Sequence, residues 1–418
     1  MISKTQNGSI IGNMPMGTVI GSRPSITTTW SAPKPPAPKP AAITPKTRPR
    51  EVDMPRGLNY YADFSGCGFW RMLWPEHTLN AYQQAIIHGS TVMVSDEKYY
   101  TNVKCVRIQR QATPQQLKFV QYLKQLGEKM GFRVVYEIDD IVFYEDIPEY
   151  NKFRGAFVDD SIRKATTEMM QMCDEITVTC DYMKNYYIDK TGNKNVTVIP
   201  NYPPRYWLDQ YDEDMVEKNY SKRKNKPRVL YAGSGAHFDV DNIAGQRDDF
   251  NHVIETIKKT VNKYQWIFIG AFPNGLRSLV QQKKIEFYPW CSLYDYPRLV
   301  KKVRPNVMVA PLTDNIFNRS KSDLKFIEGC AFGAPAICQD MCTYENAHYK
   351  FSTGAEMIDQ IDGLMKDKTT YMKAVRKGRQ EIETRWLEHP NNLGKYRELY
   401  TLPYAHEDRK LLNSINGI

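Results

Sequence analysis

Long apolar runs are missing from this sequence. No stretch of its 418 residues approaches 18 uninterrupted apolar side chains, which excludes a hydrophobic membrane-spanning helix of the usual kind. The N-terminus has no continuous apolar segment of the sort a secretory signal carries, so a cytoplasmic address is expected. Paired cysteines are missing too. Cys67, Cys105, Cys173, Cys180, Cys291, Cys330, Cys338 and Cys342 form no CxxC pair and no Cys/His cluster at zinc spacing. Reduced thiols are therefore expected rather than disulfides or a structural metal. Residues 1–57 contain no leucine and no sustained periodicity. They hold eight of the chain's 57 Lys/Arg against two of its 47 Asp/Glu, so +6 of the net +10 sits there.

With the run "SAPKPPAPKPAAITPKTRPR", that segment cannot bury enough apolar surface to offset its ordering entropy. It reads as a disordered, basic, Pro-rich arm over 1–57, suited to phosphate contacts without sequence preference or simply to solubility. The rest is ordinary: 41% hydrophobic and 25% charged residues fit a globular chain with room for two or three domains. Over 58–203 the runs "TVMVS", "CVRIQ", "RVVYEID", "EITVTC" and "VTVIP" alternate with helical stretches such as "TPQQLKFVQYLKQLGEKMG". Strand–helix alternation implies βαβ units and a parallel sheet, hence one Rossmann-like domain. A polar segment, 204–226, reads as a linker and contains the basic patch "SKRKNK". A second alternating series fills 227–375, from "KPRVLYAGSG" through "WIFIGA", "KIEFYPW" and "NVMVAPL" to "PAICQD". Residues 376–418 read as helices crossing back to the first domain, anchored by Trp386, Leu387, Tyr396 and Tyr400. The expected fold class is α/β, two Rossmann-like domains facing across a cleft at the carboxyl ends of their strands.

The stretch "NRSKSDLKFIEGCAFGAPAIC" (318–338) carries the most chemistry. Its pattern places a loop with Asn318 after a strand, a helix opening near Lys321 or Ser322, and Glu328 about two turns later. A helix N-terminus offers free N–H groups and a positive dipole end to a phosphate, and Lys321 adds a full charge. Glu328 is placed to accept from ribose hydroxyls. The competing reading is a capped amphipathic helix with Lys325 and Glu328 on a solvated face. The loop "AGSGAH" supplies unobstructed backbone N–H groups at Gly233, Ser234 and Gly235, a cradle for a diphosphate or an ordinary turn. His237 is positioned to donate to a phosphate or to the sugar, or is structural.

Glu328 before "GCAFGAPAI" resembles the C-terminal signature of GT-B glycosyltransferases of the retaining, E-x7-E class. The first Glu of that signature is absent, because position 320 is Ser. "CDEITVTCDYMKNYY", "NVTVIPNYPP" and "RVLYAGSGAHFD" resemble other family segments in the family's order, over roughly 58–400. The resemblance implies transfer of a sugar from a nucleotide-diphosphate donor, UDP-linked, to a hydroxyl acceptor, with retained anomeric configuration. Lys321 and Lys325 would stabilise the leaving diphosphate. It implies that the turn holding Tyr288 and Trp290 carries the nucleobase, and that the loop "DFSGCGFWR", with Gly66, Gly68 and Arg71, approaches sugar and diphosphate. No cofactor beyond the nucleotide-sugar is required, and a divalent metal is not expected. The subgroup looks like phage-encoded enzymes that glycosylate 5-hydroxymethylcytosine, with arabinose as a candidate sugar, which would make DNA the partner and a host cytoplasm the address. A polysaccharide or protein acceptor, or an inactive GT-B scaffold binding nucleotide or DNA, are the alternatives. Nothing in the pattern addresses oligomeric state.

Asp139 and Asp140, in "EIDDIVF", stand where a buried strand should stop. In a single-Rossmann glycosyltransferase such a pair would hold Mn²⁺. Here the phosphate signals lie on the other domain. The pair is therefore expected on the acceptor or sugar side, one residue taking a proton from the acceptor hydroxyl and the other capping the next turn.

Overall fold

A computed structural model describes residues 54–239 and 248–402; the arm up to residue 53 and the last part of the expected C-terminal helices, 403–418, lie outside the described residues. The apolar runs form two sheets. In the first, β1 (Arg56–Tyr60), β2 (Ile86–Ser90), β3 (Val103–Gln109), β4 (Arg133–Glu137), β5 (Glu175–Val178) and β6 (Val196–Val198) lie in the order β2-β1-β3-β4-β5-β6. In the second, β7 (Arg228–Gly233), β8 (Gln265–Gly270), β9 (Glu286–Pro289), β10 (Val307–Ala310), β11 (Ala336–Gln339) and β12 (Tyr349–Phe351) lie in the order β12-β11-β10-β7-β8-β9. Every neighbouring pair is parallel. All residues of β4 and β10 are buried, as expected of strands covered by helices on both faces.

The connecting helices follow local signals. Pro114–Met130 begins at a capping box between Thr113 and Gln116 and ends at Gly131, whose φ of +78° suits a residue without Cβ. It buries Val120, Leu123 and Leu126. Short strands departed from expectation. "TVMVS" forms no strand and Val92 is 68% exposed; the edge strand is β2, five residues earlier, where Ile87 is buried and Gly89 admits the Tyr61 ring. β1 begins at Arg56, inside the segment read as arm, because Gly57 packs directly beneath the ring of Tyr400.

The polar segment read as linker folds into helices Arg205–Leu208 and Glu213–Arg223. Trp207 in the first is fully buried, with ring centroids 5.0 Å from Trp70, 5.7 Å from Trp74 and 5.3 Å from Tyr296. These residues belong to one apolar core that runs from elements beside the first sheet to elements beside the second. Helix Pro390–Thr401 lies against β3 and the helix Trp74–Ala81, and Tyr400 Oη donates to Asn59 Oδ1 of β1 at 2.7 Å.

Strand order reverses between β1 and β3 in one sheet and between β7 and β10 in the other. At such points the loops leaving adjacent strands diverge and open a crevice. The floor of the first crevice is braced by a fully buried carboxylate. Glu137, at the end of β4, accepts from Arg71 Nε at 2.6 Å and also from Arg107 and Thr177. Burial pushes its carboxyl up, but the charges of Arg71 and Arg107 outweigh burial and hold it below the ordinary glutamate range. A depressed folded-state pKa contributes stability that is present above the unfolded value, about 4.3, and is lost as pH falls through the folded one. Glu137→Gln, which strands two buried guanidinium groups, should lower stability at pH 7 by about 3–5 kcal/mol in urea unfolding. The gap to the parent should narrow as pH falls through that acid range; a pH-independent gap would contradict the assignment.

Candidate active site

The crevice of the second sheet is lined by the loops after β7 and β10. After β7, Ser234 accepts from Ala236 N at 3.3 Å and closes a helical turn, Gly235–His237. His237 Nδ1 lies 2.7 Å from Asp249 Oδ2. Asp249 Oδ1 accepts from Thr313 N at 2.9 Å, from Asn318 Nδ2 at 2.5 Å, and from Tyr150 Oη at 2.8 Å. Thr313 and Asn318 belong to the loop after β10, whereas Tyr150 follows β4 in the other half. Burial first, then the charge of Asp249, holds the Tyr150 phenol protonated well above its usual range, which suits it to donate.

The loop after β10 makes one short helical turn, Ile316–Arg319, before helix Leu324–Phe332. The expected helix start at Lys321 or Ser322 is therefore corrected: Ser320 Oγ and Lys321 N close the short turn onto Phe317 O and Asn318 O, and the long helix begins three residues after Lys321. Lys325 and Glu328 lie one turn apart on that helix. Glu328 is 4% exposed; it accepts from Tyr296 Oη at 3.0 Å and pairs with Lys325 Nζ at 3.3 Å. The helix start is not vacant of charge, because Asp323 pairs with Arg385 at 2.8 Å.

At the first crevice, the loop after β1 wraps around Asp63. Its Oδ1 accepts from Ser65 N at 2.7 Å, Ser65 Oγ at 2.6 Å and Gly68 N at 3.1 Å; its Oδ2 accepts from Arg110 at 2.8 Å. A Cβ on Gly68 would collide with the carbonyl oxygen of Asp63, whereas Gly66 faces open space. Arg110 also faces Asp139 at 3.8 Å. Burial raises the Asp139 carboxyl above its ordinary range, against the charge of Arg110 and the neighbouring Cys67 thiol. A carboxyl so raised is suited to holding a proton.

Arg71 is not at a crevice wall. It sits in the one-turn π-helical segment Phe69–Leu73, is fully buried, and donates to Glu137, to Ile199 O at 2.5 Å, to Val178 O at 3.4 Å and to Asn201 Oδ1 at 3.1 Å. Its guanidinium is committed to the protein interior, so its expected contact with the donor is replaced by a bracing role. Asn201 Nδ2 in turn donates to Ser322 Oγ at 3.0 Å, which links that brace to the loop before helix Leu324–Phe332.

The two crevices meet directly. Lys321 Nζ lies 3.0 Å from both carboxylate oxygens of Asp140 and 3.9 Å from the Phe317 ring centroid. Phe317, Ile141 and Ile147 form a small apolar cluster at the same junction, and Cys180 Sγ reaches Ser320 O at 3.4 Å. Asp139 and Asp140 thus each face a different cation. Among the described residues no group of three or more His, Cys, Asp or Glu is arranged to hold a metal ion. Along the same carboxyl edge, toward β9, Gly233 and Gly270 are register partners, and Trp290 lies over Gly270, whose φ is +94°. Trp290 is 54% exposed; Tyr288, half-buried, donates to Glu286 at 3.2 Å.

No protein-family model matches the sequence, and no curated protein does. Two solved structures share the architecture along nearly the whole chain. A glycosyltransferase from Rickettsia africae ESF-5 superposes with a TM-score of 0.55 at 13% identity, over 84% of this chain and 100% of its own. Anabaena HepE, solved with UDP and glucose, gives 0.53 at 10% identity, over 87% and 100%. The fold is GT-B. Of the expected site residues, Asp140 meets Lys321, His237 and Asn318 share Asp249, Asp139 faces Arg110 and Ser322 meets Asn201, while the Arg71 guanidinium is turned into the interior. Sequence reasoning missed Asp63, Arg110, Tyr150, Asn201 and Asp249. Asp248-Asp249 ahead of an apolar-periodic run looks like a helix cap, and only the loop position after β7 hinted otherwise. No helix among the described residues is long and apolar enough to cross a membrane.

The glycines of the first crevice give a paired test. Gly68→Ala should displace the Asp63 loop and cost about 1–3 kcal/mol in thermal or urea unfolding, whereas Gly66→Ala should stay within about 0.5 kcal/mol. Equal effects would contradict the loop geometry.

Proposed function

We propose that this chain is a glycosyltransferase that moves a sugar from a UDP-linked donor to a hydroxyl acceptor at the junction of its two halves. The observation that carries the reading is the Asp140–Lys321 contact. It joins acidic groups after β4 to a cation beside the loop that ends at helix Leu324–Phe332. In this reading Lys321 and Lys325 stabilise the diphosphate as the sugar–oxygen bond breaks and the electron pair leaves with UDP. Glu328 accepts from ribose hydroxyls, and the turn of Tyr288 and Trp290 carries the base. Gly233, Ser234 and Gly235 offer backbone N–H groups to the phosphates. Asp139, raised in pKa by burial, takes the acceptor's proton as the new glycosidic bond forms. Retention of configuration belongs to the same reading through Glu328.

For the acceptor we favour 5-hydroxymethylcytosine in DNA. Its support is charge: +6 within residues 1–57 and exposed Lys222, Lys224 and Lys226 in the patch after β6. Such charge attracts a polyphosphate and gives salt-dependent binding.

The test is release of UDP from a panel of UDP-sugars, with and without hydroxymethylated DNA, followed by mass spectrometry of the DNA. Lys321→Ala should lower turnover about tenfold or more, Glu328→Ala should weaken UDP binding, and Asp139→Asn should reduce turnover more than donor affinity. A protein that neither binds UDP nor releases it at high concentration would overturn the enzyme reading in favour of an inactive scaffold. Turnover on a polysaccharide or protein but not on DNA would overturn the acceptor alone. Removal of residues 1–53, which leaves β1 intact, should weaken DNA binding at low salt.

A further inference from the structure

We propose that Asp249 is a positioning residue that fixes the His237 imidazole so that Nε2 receives a hydroxyl of the donor sugar, and that Tyr150 ties this arrangement to the meeting of the two halves. The inference rests on the nucleotide-sugar reading above and sharpens it, because the loop of His237 is otherwise a phosphate cradle. The Asp249 side chain is 1% exposed. Three of its contacts, from Thr313 N, Asn318 Nδ2 and Tyr150 Oη, are donors, as an ionised carboxylate requires. The fourth, His237 Nδ1, lies 2.7 Å from the other oxygen of that carboxylate, Oδ2, and so carries a ring proton.

When the ring carries a single proton, on Nδ1, its Nε2 is an acceptor. It has no hydrogen-bond partner among the described residues, and the His237 side chain keeps 17% exposure. A second acceptor in the cluster is buried without a partner. Asn318, fully buried, turns the two hydrogens of Nδ2 toward Asp249, Thr313 O at 2.8 Å and Tyr150 Oη at 3.1 Å, which share them, while its Oδ1 has no partner. Phosphate oxygens only accept at neutral pH, so they satisfy neither atom. Hydroxyl groups donate, and the donor's polyhydroxylated part is the sugar. Tyr150 reaches this cluster from the segment between β4 and helix Asp160–Met172, so its bond to Asp249 exists only where the halves touch.

Calorimetric titration with UDP and with UDP-glucose, together with UDP release from UDP-glucose, separates the alternatives for His237→Ala, Asp249→Asn, their double variant and Tyr150→Phe. UDP affinity should stay within about twofold throughout, while UDP-glucose affinity or kcat falls about tenfold in the first two. The double variant should be no worse than His237→Ala by more than about twofold, since both changes remove one function. Tyr150→Phe should lower kcat with UDP affinity kept. Equal weakening of UDP and UDP-glucose, or additive losses, would overturn the proposal. Nitrogen-15 spectra of histidine-labelled parent protein should show Nδ1 protonated and Nε2 bare; the opposite tautomer overturns the proposal even if Asp249→Asn does not fold. A parent protein that turns over UDP-glucose with unchanged variants sinks this inference alone, whereas one that does not bind UDP sinks the donor reading with it.

Discussion

The Glu137 carboxylate, buried between two guanidinium groups, is the constraint from which the site is built. An ionised group without solvent contact is tolerated only when its lone pairs are filled. Arg71, Arg107 and Thr177 fill them here. Filling them fixes more than the end of β4. Arg71 is drawn inward from the segment after the Asp63 loop, and its remaining donors pin the carbonyls of Val178 and Ile199, at the ends of β5 and β6. Through Asn201 the same guanidinium is one hydrogen bond from Ser322. An arginine that in sequence resembles a substrate-binding one is here a buried peg that sets where the loops after β4, β5 and β6 begin.

Parallel topology then decides where chemistry collects. All strands of a parallel sheet send their carboxyl ends to one edge, and the reversal points at β1/β3 and β7/β10 open crevices there. In the first crevice Asp63, Arg110 and Asp139 share charge; in the second His237, Asp249 and Asn318 do the hydrogen bonding. The side chains of Asp139 and Asp140 diverge where the chain has left β4 and bends. One carboxylate stays with its own half, facing Arg110, and the other crosses to Lys321. Neighbours in sequence thus serve different cations.

Much of the frame could be read from residue pattern alone. Strands such as β10, apolar throughout, and β4 and β7, with apolar centres, and the capped helix Pro114–Met130 announce themselves locally. β1, β2 and β12 do not: "RGLNY" ends a polar tail, "IIHGS" contains a glycine chosen for the Tyr61 ring, and "YKF" is three residues long. Residues at strand ends could be placed from the sequence because topology, not pairing, sets their position. Residues defined by their partners were not. Arg71 meets Glu137 across 66 positions, and Asp249 meets Tyr150 across 99. No local pattern distinguishes an arginine turned inward from one turned toward a ligand.

Position 320 holds a serine that is fully buried and closes its own turn on Phe317 O, a place where a glutamate would be an unpaired buried charge. The negative partner of Lys321 is Asp140, across the junction. That ion pair is partly exposed, at 19% and 24% for the two side chains, so its Coulomb energy is screened and it contributes little adhesion. Apolar contact among Ile141, Ile147 and Phe317 supplies the cohesion at this point, since all three are buried there. What the ion pair contributes is register: a point charge above the Phe317 ring, matched only where the two halves meet, sets which loop of one half lies against which carboxylate of the other.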